Sequence, residues 1–283
     1  MTAASVALWT LLAGPSRPAR VLEIDAGAVY LQVDALAAAD SRDGRDHPSS
    51  VVALLEPDAV QLPIGIVLPS SAADLVPVSV AGSSVSRGEI SIGWGAITLA
   101  EVRWPVLRWW NPGIPALELP AQSIMSGVDP EVPSDSPDPG KGPPEELASG
   151  LAALVAGDVE GAVRQLIGVG SGLVPIGDDV LVGALAALAA WAPDSPARQE
   201  LAIAVAGAAD RTTPVSAALL RSAAIGFAFP ELTQYLTALS TGEAAAEPKL
   251  AELDSVRGDS GEAMVLGVVH QLRALYGGAR KMA

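Results

Sequence analysis

Leu166–Trp191 reads LIGVGSGLVPIGDDVLVGALAALAAW, and its order decides how the rest of the chain is taken. Gly168, Gly170, Gly172 and Gly177 come first, then the adjacent acids Asp178 and Asp179, then an unbroken Ala/Leu/Val run of helical composition. This is the order of a bare-backbone loop feeding a buried helix. Glycines admit positive φ and leave N–H groups uncovered, while a helix start adds orphan donors and a partial positive charge. Such a loop makes an anion seat. A carboxylate at Asp178 or Asp179 can equally satisfy those donors as a cap, so the loop either binds a ligand or caps itself. Pro175 fixes one φ between the glycines, which makes the loop a shaped turn.

C-terminal to the linker described below, the chain reads as helical. Segments 145–156, 158–167, 178–191, 196–209, 214–225, 230–240 and 261–276 carry Ala/Leu spacing with Gly or Pro near their ends. The N-terminal part reads as β-rich. Segments 20–24 and 28–33 flank Asp25-Ala26-Gly27 as a hairpin, 50–55 and 62–68 are further short apolar runs, and 41–48 is a polar loop. Residues 76–99 alternate apolar with small or polar side chains and carry turn signals at Gly82, Arg87-Gly88 and Trp94-Gly95. Antiparallel strands with one face inward are expected there, in a small barrel or sandwich. Trp94, Trp104, Trp109 and Trp110 crowd the end of this region, either as packing rings or as a stacking wall for a ligand. Between the β-rich and helical parts, SGVDPEVPSDSPDPGKGPPEE (126–146) has too few apolar residues to pack and reads as an exposed linker. The expected organisation is α+β: a β-rich domain over 1–125, a Pro/acidic linker over 126–146 and a helical domain over 147–283 that carries the glycine loop.

A chain of 283 residues that is 50% hydrophobic can bury one large core or two ordinary ones. With no cysteine it has no disulfide, thiolate zinc site or cysteine nucleophile, which fits a reducing compartment, and the cytoplasm is expected. Residues 4–14 are apolar but lack a positively charged start, so they do not read as a signal peptide. Residues 180–191 are too short to cross a bilayer. The net charge of −15, with no basic run, argues against nucleic acid or an anionic membrane as partner.

The glycine loop lacks the third glycine of a dinucleotide fingerprint, and no Gly-Lys-Ser/Thr follows for a P-loop. Asp178 and Asp179 either hold Mg²⁺ beside a phosphate or cap the helix. Asp210–Ser216, DRTTPVS, is a second constellation: Thr212 or Thr213 before Pro214 starts a helix, with Arg211 just before it and Arg221 farther along. It is either a capped helix with surface arginines or, through its hydroxyls, helix start and guanidinium, a carboxylate or phosphate site. The third is Gly258-Asp259-Ser260-Gly261, which matches the GDSG run of trypsin-like proteases. With only His47 and His270 in a helical context it reads instead as a turn that caps the last helix. Two distant histidines give no zinc cluster.

These three stretches resemble the motifs of the AllH-like family. Residues 166–188 are similar to its G-x-G-x-G-L-T-P-S-G-D-D-x-L-x-G pattern, Arg211–Ser216 with Leu219 and Leu220 to its second motif, and Gly258–Gly261 to its Gly/Ser-rich third. The β-rich start with Trp110-Asn111-Pro112 also fits. Val174 and Ile176 stand where that family usually has Thr and Ser, and Asp259 where Thr or His is commoner, which removes hydroxyls or alters polarity. The resemblance implies a component of an oxamate carbamoyltransferase-like complex in purine and allantoin breakdown, exchanging a carbamoyl group between oxalurate and phosphate. It implies other subunits as partners and a small anionic substrate. The candidate catalytic residues are then Asp178, Asp179 and Arg211. Gly170, Ser171, Gly172, Gly177, Thr212, Thr213, Ser216 and Ser260 are the candidate substrate-binding set. Bare amides with Arg211 would hold the anion and the developing oxyanion. No general base is evident. The competing reading is a non-catalytic anion- or metabolite-binding subunit that stabilises or regulates a complex.

Overall fold

The computed structural model describes residues 1–25, 27–37, 50–69, 90–99, 102–120, 145–257 and 259–282. The polar loop 41–48 with His47, the alternating stretch 76–89, Ala26, Gly258 and most of the linker (126–144) lie outside the described residues. Contacts divide the chain into two compact units, Met1–Pro112 and Gly113–Ala283.

The first unit is one curled, half-barrel sheet of nine strands. These are β1 (Ala3–Ser5), β2 (Arg17–Asp25), β3 (Ala28–Val33), β4 (Ser50–Leu55), β5 (Gly65–Val67), β6 (Ile90–Gly93), β7 (Ala96–Leu99), β8 (Val102–Pro105) and β9 (Arg108–Trp110), in the order β8-β7-β6-β2-β3-β4-β5-β1-β9. The expected hairpin is β2–β3, turning on Gly27 at φ +76°. The short apolar run 62–68 forms β5, and its pairing with β4 is parallel. Alternation does what period two demands: Val29, Leu31, Val33, Val52, Leu54, Ile90, Ile92, Ile97 and Leu99 fill one core. Helix α1 (Trp9–Ala13) adds Leu11 and Leu12 to it. The two edge strands β8 and β9 are consecutive in sequence and joined only by Val106 and Leu107. Two residues span at most about 10 Å, so the sheet has to curl until its edges come close at that end. Trp104 and Trp109 pack part-buried against this core, whereas Trp94 is exposed.

The second unit is helical: α2 (Glu145–Ala156), α3 (Val159–Leu166), α4 (Ile176–Trp191), α5 (Pro196–Gly207), α6 (Pro214–Ala224), α7 (Pro230–Thr241), α8 (Glu243–Arg257) and α9 (Asp259–Met282). Helix starts follow the local chemistry. Asp158, Ser195 and Thr213 accept from the amide three residues on, and proline occupies the first turn of α5, α6 and α7. Every residue of α4 from Gly177 to Trp191 is buried, as the all-apolar run requires. Its closest neighbour is α9. A Cβ on Gly183 would lie 2.0 Å from the Met264 carbonyl oxygen, and one on Gly267 2.0 Å from that of Val180. Two helix backbones thus touch through reciprocal glycines, with α9 running back along α4. Residues 113–120 form a strap on this unit, with Ile114 N–H bonded to Gly226 O (2.8 Å) and Leu117 N–H to Ala190 O (2.7 Å). Among the described residues no helix is long and apolar enough to cross a membrane.

Alanine in a helix is favoured over glycine by about 1 kcal/mol, but forcing a methyl into a filled contact costs about 1–3 kcal/mol, and here it meets backbone that cannot rotate away. Gly183→Ala is therefore expected to lower stability by about 2 kcal/mol in urea unfolding. Gly207→Ala, where a Cβ has nothing within 4 Å, is expected to hold or raise it.

Candidate functional site

The glycine loop between α3 and α4 is pinned at both ends and open in the middle. At its start, Gly168 (φ +74°) donates its N–H to Asp178 Oδ1 at 2.8 Å, and a Cβ there would fall 2.3 Å from the Arg211 carbonyl oxygen. At its end, Gly177 donates its N–H to Val169 O at 2.9 Å, and a Cβ there would fall 2.0 Å from Leu166 O. Only glycine fits either position. Between them, Gly170 (φ +106°), Ser171 and Gly172 (φ +90°) are exposed. Among the described residues their three amides donate to no acceptor, and a Cβ on Gly172 would meet nothing within 4 Å.

Helix α4 begins at Ile176 with Pro175 in the capping position and no side-chain cap. Asp178 and Asp179 sit in its first turn with no solvent exposure, near the positive end of the helix dipole. Asp178 does not turn back on its own helix. Its Oδ2 accepts from the Thr212 hydroxyl and from the Ser216 hydroxyl at 2.5 Å, while Oδ1 takes the Gly168 amide. Burying a carboxylate is costly unless its lone pairs are satisfied, and three donors do this here. Thr213 completes the join. It caps α6 by accepting the Ser216 N–H at 3.0 Å, and its hydroxyl donates to Leu173 O at 2.5 Å.

The first two motifs therefore meet. Asp178, Gly177, Thr212, Thr213 and Ser216 are consumed in holding the loop against the start of α6. Gly170, Ser171 and Gly172 stay exposed, Gly172 with open space around it and Gly170 close against Ile176, where a Cβ would fall 2.9 Å from Cγ2. Arg211 is exposed, its backbone against Gly168, and its Nη2 donates to Arg164 O at 2.8 Å on the last turn of α3. Arg221 is exposed farther along α6 and bonds to none of these groups. Ser260 lies elsewhere. With Gly267 against Val180 and Met264 against Gly183, the start of α9 is carried toward the far end of α4, where Gly261 abuts the backbone of Leu253 on α8. Gly168, Leu173 and Arg164 were not singled out from sequence as site residues. Gly168 carried a signal, as the first of four closely spaced glycines; the carbonyls of the other two carry none. Among the described residues no group of three or more His, Cys, Asp or Glu is placed to hold a metal ion.

Residues 166–272 match the family model described as oxamate carbamoyltransferase subunit AllH. No curated protein and no solved structure matches the chain. The matched segment holds the whole join between the glycine loop and α6, and also Ser260.

Two glycine substitutions separate pinning from openness. Gly168→Ala meets a carbonyl oxygen as well as an unfavourable φ and is expected to cost about 3 kcal/mol. Gly172→Ala meets only the φ penalty, about 1 kcal/mol. Chemical denaturation of the two variants should give that order.

Proposed function

We propose that the chain, matched over 166–272 to a subunit of oxamate carbamoyltransferase, works with other subunits in carbamoyl transfer between oxalurate and phosphate, and that its glycine loop is the anion seat. What supports this most is that Gly170, Ser171 and Gly172 are exposed and that, among the described residues, their three amides donate to no acceptor, on a loop whose Gly168 lies against the Arg211 backbone. Consecutive amides on alternating positive-φ residues form a concavity for an oxyanion, and a guanidinium is the side chain best shaped to share it.

The chemistry asks little of a base. Hydrogen phosphate attacks the carbamoyl carbon, a P–O–C link forms, the C–N bond to oxamate breaks, and the proton lost by phosphate is the one the oxamate nitrogen gains. What remains for the protein is to position two anions against their mutual repulsion and to stabilise the oxyanion on the carbamoyl oxygen. In this reading the exposed amides and Arg211 take the anion. Asp178, with Thr212, Thr213 and Ser216, acts on it indirectly by fixing the loop. Asp179 is kept as the second acid of the pair.

The test is phosphate-dependent cleavage of oxalurate by the chain together with its neighbouring subunits. Arg211→Ala is expected to lower the rate about a hundredfold, the usual size of losing one oxyanion donor, while Asp179→Asn removes a buried acceptor charge and no donor, and tests whether that acid takes part at all. Wild-type rates in both variants would remove the catalytic assignment. Calorimetry of phosphate and oxalurate with the chain alone decides the alternative, a non-catalytic binding subunit. That alternative keeps binding with no rate effect, and unchanged binding in both variants removes the seat altogether.

A further inference from the structure

One end of the half-barrel gathers large exposed apolar side chains that its own core does not use. Trp9 is 57% exposed, Trp94 48% and Leu107 64%. Backbone hydrogen bonds hold their carriers together: Trp94 N–H to Gly14 O (2.9 Å), Gly95 N–H to Leu12 O (2.7 Å), Val106 N–H to Gly95 O (2.9 Å) and Leu107 N–H to Thr2 O (3.1 Å). The Trp9 ring lies 4.9 Å from that of Trp109. Trp94 also departs from local preference. It sits at φ +50° before Gly95 at φ +71° in the β6–β7 hairpin, where two positive-φ residues call for Asn-Gly. Arg103 Nη2 bonds to the Trp94 carbonyl oxygen at 2.7 Å. A bulky aromatic held in a strained turn with half its surface in water marks a site of use.

Charge selects the occupant. Val102–Trp110 reads VRWPVLRWW, with exposed arginines at 103 and 108 and no acid, in a chain of net charge −15. A two-fold contact between copies would set this basic patch against itself and bring two strongly acidic chains together. Tryptophan and arginine around an apolar centre are the composition of an interface hot spot. We propose that this rim is the docking surface for a different protein subunit that presents carboxylates around an apolar patch. The identity of that partner rests on the multi-subunit reading above, while the surface itself lies outside the matched segment.

The test uses the full chain and the purified remaining subunits of the carbamoyltransferase complex as probe, with affinity followed at two salt concentrations. Wild type is expected to bind, more weakly at high salt. Trp94→Asn, which suits the turn, is expected to keep or raise Tm yet weaken binding tenfold or more, and Arg108→Glu to weaken it by at least as much. No association of wild type, or unchanged affinity in both variants, would overturn the proposal. So would self-association of the isolated chain that Trp94→Asn or Arg108→Glu abolishes in sedimentation, which would mean that a second copy occupies the rim. Phosphate binding by calorimetry reports separately on the glycine loop. Its absence leaves the docking result standing, and both variants are expected to keep it.

Discussion

The carboxylate of Asp178 is the point on which the helical unit's open loop depends. It is fully buried at the start of α4 and takes one amide from the loop and two hydroxyls from the segment before and within α6. A buried acid with one oxygen unsatisfied would be strongly destabilising, so the three donors are held to it as firmly as it is held to them. The consequence is geometric. A stretch with three positive-φ glycines, which alone would sample many shapes, is tied at Gly168, Leu173 and Gly177, and only its outer residues stay open to solvent.

That join needs a rigid floor, and the α4–α9 contact supplies one. Reciprocal glycines at 183 and 267 let the two backbones touch, so the helix that carries Asp178 cannot slide or tilt without a clash against a carbonyl oxygen. Close packing of this kind transmits position better than flexible side chains do. The floor also explains why the start of α9 is carried away from the glycine loop: the register that places Gly267 against Val180 sends Ser260 toward the other end of α4.

Much of this was legible in sequence because it is local. Short apolar runs mark β4 and β5, a glycine-containing turn between apolar segments marks the β2–β3 hairpin, alternation marks β6 and β7, and proline after Ser195, Thr213 and Phe229 marks helix starts. The fully apolar run marks α4 as central. What was illegible is non-local or runs against a local rule. Helix α8 carries Pro248 in its interior, which reads as a break. The parallel pairing of β4 with β5 is a matter of topology, for which strand pattern gives no sign. Asp178 meets Thr212 and Ser216 across 34 and 38 residues, and spacing alone leaves open only whether Asp178 caps the helix or holds a metal beside a phosphate. It joins two segments, a third role that becomes visible only when both are in view.

Amide hydrogen exchange across the loop tests this account most directly, since one experiment reads the tied and the open residues side by side. The Gly168 amide, held by Asp178, is predicted to exchange only through unfolding of the helical unit, while those of Gly170, Ser171 and Gly172 exchange orders of magnitude faster. Equal and rapid exchange at all four would mean that the carboxylate does not hold the loop. Equal and strong protection at all four would mean that no amide is left to receive an anion.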